Sequence, residues 1–363
     1  MLLQKILHKI EWLVKKFLNV FIQNNYSPQK ITQAEWTFTD LKNPKVLLLR
    51  HDRIGDVLIT TPFLKELRRI LPNEEIDILL SFKNKTVRRS VEYLVDDILV
   101  LENKPLEFFK LIHKIRRKRY DIVIDLLDNE SASSNMILKY STAKIKLGFD
   151  KSNSNNYNFV VPIPDKGKVH IARRLFSLLL PFGYDMGDKD IRLEFPLKKS
   201  EQAEAEKLLG KKDSEIRLGI NLSGSNDSKY WGDEKYINFI KKVKSSYNAD
   251  VVLFALPKLK IRADYIASQC GGRIAPMQTD FNIYAAMLNE CDIILTPDTA
   301  AVHLASAFNK PVIAMFVSPY PNKIMPWFPL NSKNKSFVAE HSYEEIKVID
   351  VFEAFSDLVK GLE

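Results

Sequence analysis

The sequence predicts an α/β protein made of two doubly wound halves. Short apolar strands alternate with helical segments from residue 45 onward, and the same alternation begins again after residue 211. Buried apolar strands separated by helices are typical of parallel sheets covered on both faces. The chain has 363 residues, more than the roughly 250–300 at which a single hydrophobic core stops growing. We therefore expect two domains and a cleft between them, with ligand-binding loops directly after strands.

Each element follows from its own apolar pattern. In the first half, strands are predicted at 45–50, 76–80, 97–101 and 121–126, and helices at 62–71, 105–118 and 169–181. In the second half, strands are predicted at 216–222, 251–256, 293–296 and 312–316, and helices at 200–211, 233–246, 260–269, 281–290 and 299–308. The predicted domain boundaries are 44–190, 191–345 and, for a C-terminal helix, 346–363.

Residues 1–43 are predicted to form a separate amphipathic segment. Apolar residues recur from Leu3 to Ile22 at helical spacing, with lysines mostly between them. Because charges interrupt this run and no small-residue cleavage site follows, we expect neither a signal peptide nor a spanning helix. A basic helix that carries Trp12 can lie in a membrane interface. The alternative is docking on the protein's own surface or on a second copy.

The net charge of +9 is concentrated in two segments. Residues 1–44 hold six lysines against three carboxylates, and residues 104–119 hold seven basic side chains against Glu107, so the remaining chain is formally neutral. A nucleic-acid groove needs a broad basic face, so no nucleic-acid partner is expected. An excess of positive charge that is confined to the first half of the chain favours an anionic lipid or a membrane surface as the partner. Cations in the last turn of helix 105–118 also complement the helix dipole, which is the simpler alternative.

The composition indicates a folded protein of a reducing compartment. Hydrophobic residues make up 45% and charged residues 27% of the chain, which excludes collagen-like and disordered classes. The two cysteines, Cys270 and Cys291, are too few for a disulfide framework and lack metal-ligand spacing. We expect a cytoplasmic location.

The loop after strand 45–50 contains the first candidate residue, Asp56. The loop has one glycine, Gly55, and not the three of a dinucleotide fingerprint. Asp56 stands where a turn enters a helix, and a helix start favours the ionised carboxylate by about 0.3–1 kcal/mol. Asp56 is therefore a candidate proton acceptor, with simple helix capping as the alternative. Thr61 and Pro62 are predicted to be the N-cap and first residue of the next helix.

The loop after strand 216–222 is a candidate phosphate-binding segment. It is rich in serine and asparagine from Ser223 onward and contains Gly224. It ends at Lys229, a point charge suited to phosphate. A polar turn that ends in an exposed lysine is the alternative.

The loop after strand 293–296 leads into a helix start that can bind an anion. Asp298 or Thr299 can cap this helix. It begins with Ala300 and Ala301, whose small side chains leave the first-turn amides open to a diphosphate. His303 follows Thr299 by four residues and so lies on the same face. A histidine packed in the core is the alternative.

In this order and at these distances, the three loops resemble glycosyltransferase family 9, the lipopolysaccharide heptosyltransferases. The resemblance covers about residues 45–330. Its matching segments are Gly55-Asp56 with Thr61-Pro62, Lys229-Tyr230-Trp231, and Pro297-Asp298-Thr299 with His303-Leu304-Ala305. Smaller matches are Tyr120-Asp121, Ile124-Asp125, Gly148-Phe149 and His170 ahead of a leucine-rich helix that ends at Gly183.

The resemblance implies a GT-B fold of two Rossmann-like domains, with the acceptor on the N-terminal domain and the nucleotide-sugar donor on the C-terminal one. It implies an inverting transfer of heptose from ADP-heptose to the lipopolysaccharide inner core, at the inner face of the cytoplasmic membrane. The nucleotide sugar is a co-substrate, and neither a metal nor a cofactor is implied.

The same resemblance assigns roles to single residues. Asp56 would be the catalytic base, with Arg53, Gly55 and Thr61 near the acceptor. The groups implied to hold the donor diphosphate are Lys229, Ser223, Asp298, Thr299, Ala300, Ala301 and His303. Trp327 is a candidate to flank the nucleotide, and packing is its alternative.

Three departures from the family pattern leave the substrates open. Ala300 replaces a frequent glycine, and Glu130 stands where a basic residue is common, which leaves the acceptor open. No glutamate for the donor ribose occurs near Pro257 and Lys258. The alternatives are a GT-B transferase that uses another nucleotide sugar on another surface glycan, and a non-catalytic glycan- or lipid-binding scaffold.

Overall fold

The computed structural model describes residues 26–38, 41–224, 227–318 and 327–362. The predicted N-terminal amphipathic helix lies outside these ranges. The described residues divide into two compact units, one running up to Asp165 and including Ala172–Lys189, the other comprising Lys166–Ile171 and the chain from Asp190 onward.

The first unit is built on a seven-stranded parallel sheet. Its strands are β1 (Gln29–Lys30), β2 (Val46–Leu49), β3 (Ile76–Ser81), β4 (Asp97–Leu101), β5 (Ile122–Asp125), β6 (Ile145–Phe149) and β7 (Phe159–Val161). The order across the sheet is β1-β7-β6-β5-β2-β3-β4. Its helices are α1 (Ile54–Leu58), α2 (Thr61–Ile70), α3 (Pro105–Lys118) and α4 (Ala132–Tyr140). Strands β2, β3, β5 and β6 are buried at every residue, as expected for a parallel sheet covered on both faces.

The second unit has a six-stranded parallel sheet in the order β10-β9-β8-β11-β12-β13. The strands are β8 (Ile216–Asn221), β9 (Ala249–Phe254), β10 (Arg273–Ile274), β11 (Ile293–Pro297), β12 (Val312–Val317) and β13 (Asn334–Ala339). The helices are α6 (Lys199–Leu209), α7 (Asp233–Ser246), α8 (Lys260–Cys270), α9 (Phe281–Asn289), α10 (Ala300–Ala307) and α11 (Val348–Lys360). Helix α5 (Ile171–Leu175) contains the point where the chain returns to the first unit.

The two sheets confirm the prediction of two doubly wound α/β halves. The structure differs at several weakly patterned elements, since β6, β7, β13 and α4 were not predicted. The predicted helix 169–181 is the short α5 followed by a 3₁₀ turn at Phe176–Leu179. The cleft expected between the halves stays a prediction. No helix in the described ranges is long and apolar enough to cross a membrane.

The strand order fixes where ligands can bind in each unit. In the first sheet the order reverses between β2 and its neighbour β5, and in the second between β8 and its neighbour β11. Ligands of doubly wound sheets bind outside the carboxyl ends of the strands at such points. Asp56 follows β2, Lys229 follows β8 and Thr299 follows β11. The candidate residues therefore lie after the strands at which the order reverses, where ligands are expected to bind.

Candidate active site

Asp56 lies in the first turn of α1, directly after the loop that leaves β2. Its side chain is 5% exposed, and Oδ2 accepts a hydrogen bond of 3.1 Å from the backbone amide of Arg53. Burial and the nearby carboxylate of Asp52 raise the pKa of Asp56 to about 7, and the charge of Arg50 offsets them in part. The helix start therefore does not keep this carboxylate fully ionised at neutral pH, contrary to the expectation, because lost hydration outweighs the dipole.

A buried network holds the loop between β2 and α1. The Arg50 guanidinium donates to the Thr60 hydroxyl (2.8 Å) and to the Asp52 carboxylate (2.9 Å). The Thr60 hydroxyl donates to the backbone carbonyl oxygen of Asp56 (2.7 Å), and the Asn84 amide donates to that of Arg50 (2.9 Å). Sequence spacing gives no indication of this network. The available signal is a run of charged residues directly after a buried strand.

The other residues predicted near the acceptor have different surroundings. Arg53 is the N-cap of α1 with an exposed side chain, and Gly55 is the second residue of that helix. Thr61 is buried, and its hydroxyl donates to the carbonyl oxygen of Leu58 (2.9 Å). The N-cap of α2 is Thr60 and not Thr61 as predicted, since the helix begins one residue earlier than expected.

A second polar cluster lies at the end of β5, the neighbour of β2. The buried carboxylate of Asp125 accepts from the Tyr157 hydroxyl (2.7 Å) and the Lys151 ammonium (3.1 Å). The His51 ring nitrogen Nε2 lies 3.2 Å from the Ser131 hydroxyl, and burial lowers the pKa of His51. The Asp125 carboxylate is therefore engaged by Tyr157 and Lys151 within the unit. The lowered pKa of His51 favours its neutral imidazole.

In the second unit, Asn221 at the end of β8 joins the two predicted phosphate-binding loops. Its side-chain amide lies 3.0 Å from the hydroxyl of Thr296, 3.0 Å from that of Thr299 and 3.2 Å from the carbonyl oxygen of Ser223. Asn221 is buried. It was not among the predicted site residues, because a polar residue that ends a strand carries no pattern of its own.

Lys229 and Asp298 are brought together by the same strand ends. The Lys229 ammonium donates to the backbone carbonyl oxygen of Asp298 (2.9 Å) and forms an ion pair with its carboxylate. The Asp298 amide is 3.4 Å from the hydroxyl of Tyr343. The neighbouring Trp231 is buried and donates to the carbonyl oxygen of Ile346 (3.0 Å), so it anchors the end of the Lys229 loop.

The Lys229 ammonium lies beside the start of helix α10. Thr299 is its N-cap, and the Thr299 hydroxyl accepts from the amide of Ala301 (3.3 Å). The Ala301 amide is thus engaged by the cap, contrary to the expectation that it stays open. Across the described residues, the amides of Thr299 and Ala300 make no hydrogen bond. These two amides and Lys229 converge on one helix start, where a diphosphate is favoured.

His303 lies on α10 one turn after Thr299, beside Trp327. The two ring centroids are 6.4 Å apart. His303 is buried and its Nδ1 has no hydrogen-bond partner in the described part of the chain. Burial lowers the pKa of His303 to about 4, against a raising effect of Asp298, so the imidazole is neutral at pH 7.

The remaining predicted residue is Ser223. Its hydroxyl accepts a hydrogen bond of 2.8 Å from the backbone amide of Leu256. It therefore connects the ends of β8 and β9. Within the four described ranges, no group of three or more His, Cys, Asp or Glu side chains is arranged to hold a metal ion.

Two doubly wound units, each with candidate residues in the loops where its strand order reverses, match the architecture of GT-B glycosyltransferases. The comparisons with known proteins agree. Residues 108–352 match the model of glycosyltransferase family 9 (heptosyltransferase). The chain belongs to this family, and the protein is a glycosyltransferase.

Individual relatives are distant in sequence. Lipopolysaccharide heptosyltransferase 3 of Escherichia coli is 22% identical over 278 residues, which cover 72% of this chain and 80% of that protein. A solved family 9 protein of Veillonella parvula has a TM-score of 0.76 at 19% identity, covering 90% of this chain and 99% of that one. Escherichia coli heptosyltransferase WaaC, solved with ADP-2-deoxy-2-fluoro heptose, has a TM-score of 0.68 at 18% identity, covering 86% and 99%. These structures confirm the GT-B fold class.

Proposed function

We propose that the protein is an inverting transferase that moves a heptose from ADP-heptose to the inner core of lipopolysaccharide, with Asp56 as the base and without a metal ion. Two findings support this proposal: the chain belongs to glycosyltransferase family 9 (heptosyltransferase), and WaaC, which shares the fold, was solved with ADP-2-deoxy-2-fluoro heptose. We further propose that it acts as a peripheral protein at the inner face of the cytoplasmic membrane, where lipid-linked acceptors are available.

The proposed reaction is a single displacement. The Asp56 carboxylate takes the proton of an acceptor hydroxyl, and the hydroxyl oxygen forms a bond to the anomeric carbon of the donor. The bond between that carbon and the diphosphate oxygen breaks, and ADP leaves with the electron pair. The anomeric configuration inverts because attack and departure occur on opposite faces.

The observation that carries this proposal is the buried Asp56 carboxylate with a pKa of about 7. A general base works best when its pKa lies near the working pH, because it is then ionised in a substantial fraction of molecules and still basic enough to hold a proton. A residue that only caps a helix can do so with an exposed side chain, so capping alone does not account for the burial of Asp56. The hydrogen bond from the Arg53 amide orients one carboxylate oxygen.

The departing diphosphate needs positive charge where its own charge develops. We propose that Lys229 and the amides of Thr299 and Ala300 supply it, since fixed donors at a leaving group are often the largest catalytic contribution. Asp298 positions Lys229 through its carbonyl oxygen and carboxylate. His303, neutral at pH 7, acts as a hydrogen-bonding and packing group beside Trp327, not as a cation.

The test is an assay of ADP release by the purified full chain with ADP-heptose and a lipopolysaccharide core acceptor. We expect Asp56→Asn to lower kcat by about 10²–10⁴, the usual contribution of a general base, without changing ADP affinity in calorimetry. Asp188→Asn, at an exposed aspartate of the same unit, is the matched control. Full activity of Asp56→Asn would remove this residue from the mechanism.

A second candidate donor is another nucleotide sugar. The segment after β9, Ala255–Leu259, contains no carboxylate that could accept hydrogen bonds from ribose hydroxyls. A donor screen with mass detection of the glycosylated lipid separates the candidates. Transfer from a different nucleotide sugar, with ADP-heptose inert, would replace the donor and keep the reaction class. ADP binding without transfer from any donor would favour a non-catalytic scaffold.

A further inference from the structure

We propose that the exposed face of helix α3 is a docking surface for an anionic lipid bilayer. This docking face consists of Leu106, Phe109, Lys110, His113 and Arg117, which follow one another at helical intervals and are all exposed. The inference adds a site to the proposed function but does not depend on it, because lipid binding is measurable without donor or acceptor.

The apolar pair at the start of the docking face is mostly exposed, although the Phe109 ring lies 6.4 Å from that of Phe108. Leu106 is 66% and Phe109 is 67% exposed. The opposite side of α3 already packs inward through Leu111 and Ile115, which are buried in the core of the first unit. Leu106 and Phe109 are therefore not buried in the core of the unit. Both lie in the first two turns of the helix.

The seven cations of residues 104–119 divide into two sets, four with partners among the described residues and three without. In the first set, Lys110 pairs with Glu107 (2.7 Å) and Arg116 donates to the carbonyl oxygen of Tyr140 (3.0 Å). Lys118 is paired with Asp77 (2.5 Å) and Asp97 (2.9 Å), and Lys114 with Asp97 (3.3 Å), so both serve the fold. The side chains of the second set have no hydrogen bond or ion pair to any described residue; the set consists of Lys104, Arg117 and Arg119. Arg117 belongs to the docking face, and Lys104 and Arg119 lie at the two ends of its helix, so these three cations are available to an external anionic partner.

The helix dipole explains only part of this arrangement. Cations in the last turn of α3 complement the dipole, but Lys104 is the N-cap, where a cation is disfavoured. Arg119 ends the helix in the left-handed region with φ of 52°, a conformation that favours glycine. The dipole also gives no reason for two exposed apolar side chains.

The combination fits a bilayer better than a protein partner. Membrane binding needs a few inserted apolar side chains together with cations that attract anionic headgroups, and the two act together. A stable protein interface buries about 800 Å² on each partner, much more than Leu106 and Phe109 offer.

The experiment is sedimentation of the full chain with vesicles of phosphatidylcholine alone or with one-third phosphatidylglycerol. We expect binding to the anionic vesicles to weaken about tenfold or more in Leu106→Ser/Phe109→Ser, and by a similar factor in Lys104→Gln/Arg117→Gln/Arg119→Gln. The matched charge control is Lys207→Gln/Lys211→Gln/Lys241→Gln, at exposed lysines of the second unit. The control should bind like the wild type.

A second readout does not depend on loss of binding. In Phe109→Trp, anionic vesicles should shift the added tryptophan emission to the blue, and brominated lipids should quench it, relative to the wild-type background. Every variant retains residues 1–43, so wild-type binding by both multiple variants, or no spectral change in Phe109→Trp, would assign lipid binding elsewhere and overturn the proposal. Transfer to a soluble acceptor should stay within about twofold of wild type in the docking variants, so failure of the transferase proposal remains distinguishable.

Discussion

The Lys229 ammonium donates to the backbone carbonyl oxygen of Asp298 and pairs with the carboxylate of the same residue. These two residues are 69 positions apart, in the segments that follow the neighbouring strands β8 and β11. The pairing places a cation at the start of α10, next to the Thr299 and Ala300 amides. The protein thus holds the positive charge in position with its own groups.

This pairing predicts opposite effects of two neutral substitutions on ADP affinity. Lys229→Gln should weaken ADP binding by about 10–100-fold, since a charge-assisted hydrogen bond contributes roughly 1.5–3 kcal/mol. Asp298→Asn should bind ADP as well as wild type or several-fold more tightly, because it removes a negative charge near the diphosphate. Titration calorimetry at fixed ionic strength measures both. Equal weakening by the two variants would contradict this prediction and show that the Asp298 carboxylate is needed to hold Lys229 in place.

Asn221 should matter for both stability and nucleotide binding. Asn221→Ala removes the donor to the Thr296 and Thr299 hydroxyls in a buried site, so we expect a loss of about 1–3 kcal/mol in the free energy of unfolding. ADP binding should weaken as well, because the cap of α10 loses its support. Urea denaturation and calorimetry test the two effects, with the exposed Asn248→Ala as control. A stable variant with normal ADP affinity would contradict this role.

His303 should make the protein sensitive to acid. Its pKa is about 4 in the folded state against a usual 6.5, so the unfolded chain binds a proton more readily between these values. The free energy of unfolding should fall as pH drops from 7 to 4.5, with about 2–3 kcal/mol of the loss due to this residue. His303→Gln should lose less stability over the same interval in urea denaturation. An unchanged pH slope would mean that folding does not lower the pKa of His303.

Gly148, on β6, should tolerate no side chain. A Cβ at this position would lie 2.5 Å from the ring of Tyr157, whose hydroxyl bonds to Asp125. We expect Gly148→Ala to destabilise the protein by about 1–3 kcal/mol through overpacking and to disturb the Asp125 cluster. Gly272→Ala, whose Cβ would meet atoms no nearer than 3.8 Å, is the control. Equal melting temperatures of the two variants would be evidence against this packing.

Strong apolar patterns made the central elements predictable from the sequence. Continuous runs such as VLLL in β2 and VIAMFV in β12 are fully or almost fully buried, and their predicted bounds agree with the structure to within a residue or two. Strand β6 was missed because its run, IKLGF, is broken by Lys146, which is nevertheless buried, and by Gly148. Helix α4 was also not predicted, because it begins with the polar run Ala132-Ser133-Ser134-Asn135, which interrupts the apolar pattern.

The candidate site was predictable in position but not in its chemistry. Loop placement after strands located Asp56, Lys229 and Thr299, because the strand-end rule depends only on topology. The pKa of Asp56 could not be predicted, since it depends on burial and on Asp52, which the fold brings close. Asn221 could not be predicted because two of its three partners, the hydroxyls of Thr296 and Thr299, are 75 and 78 positions away in the sequence.

The most direct test of the central claim is the pH dependence of kcat/KM for transfer by the wild type and by Asp56→Asn. If Asp56 is the base, its ionised form is the active one, so kcat/KM should rise about tenfold per pH unit below pH 7 and level off above it. The residual activity of Asp56→Asn should lack this rise. A wild-type profile that is flat from pH 5 to 9, or the same rise in Asp56→Asn, would contradict the assignment of Asp56 as the catalytic base.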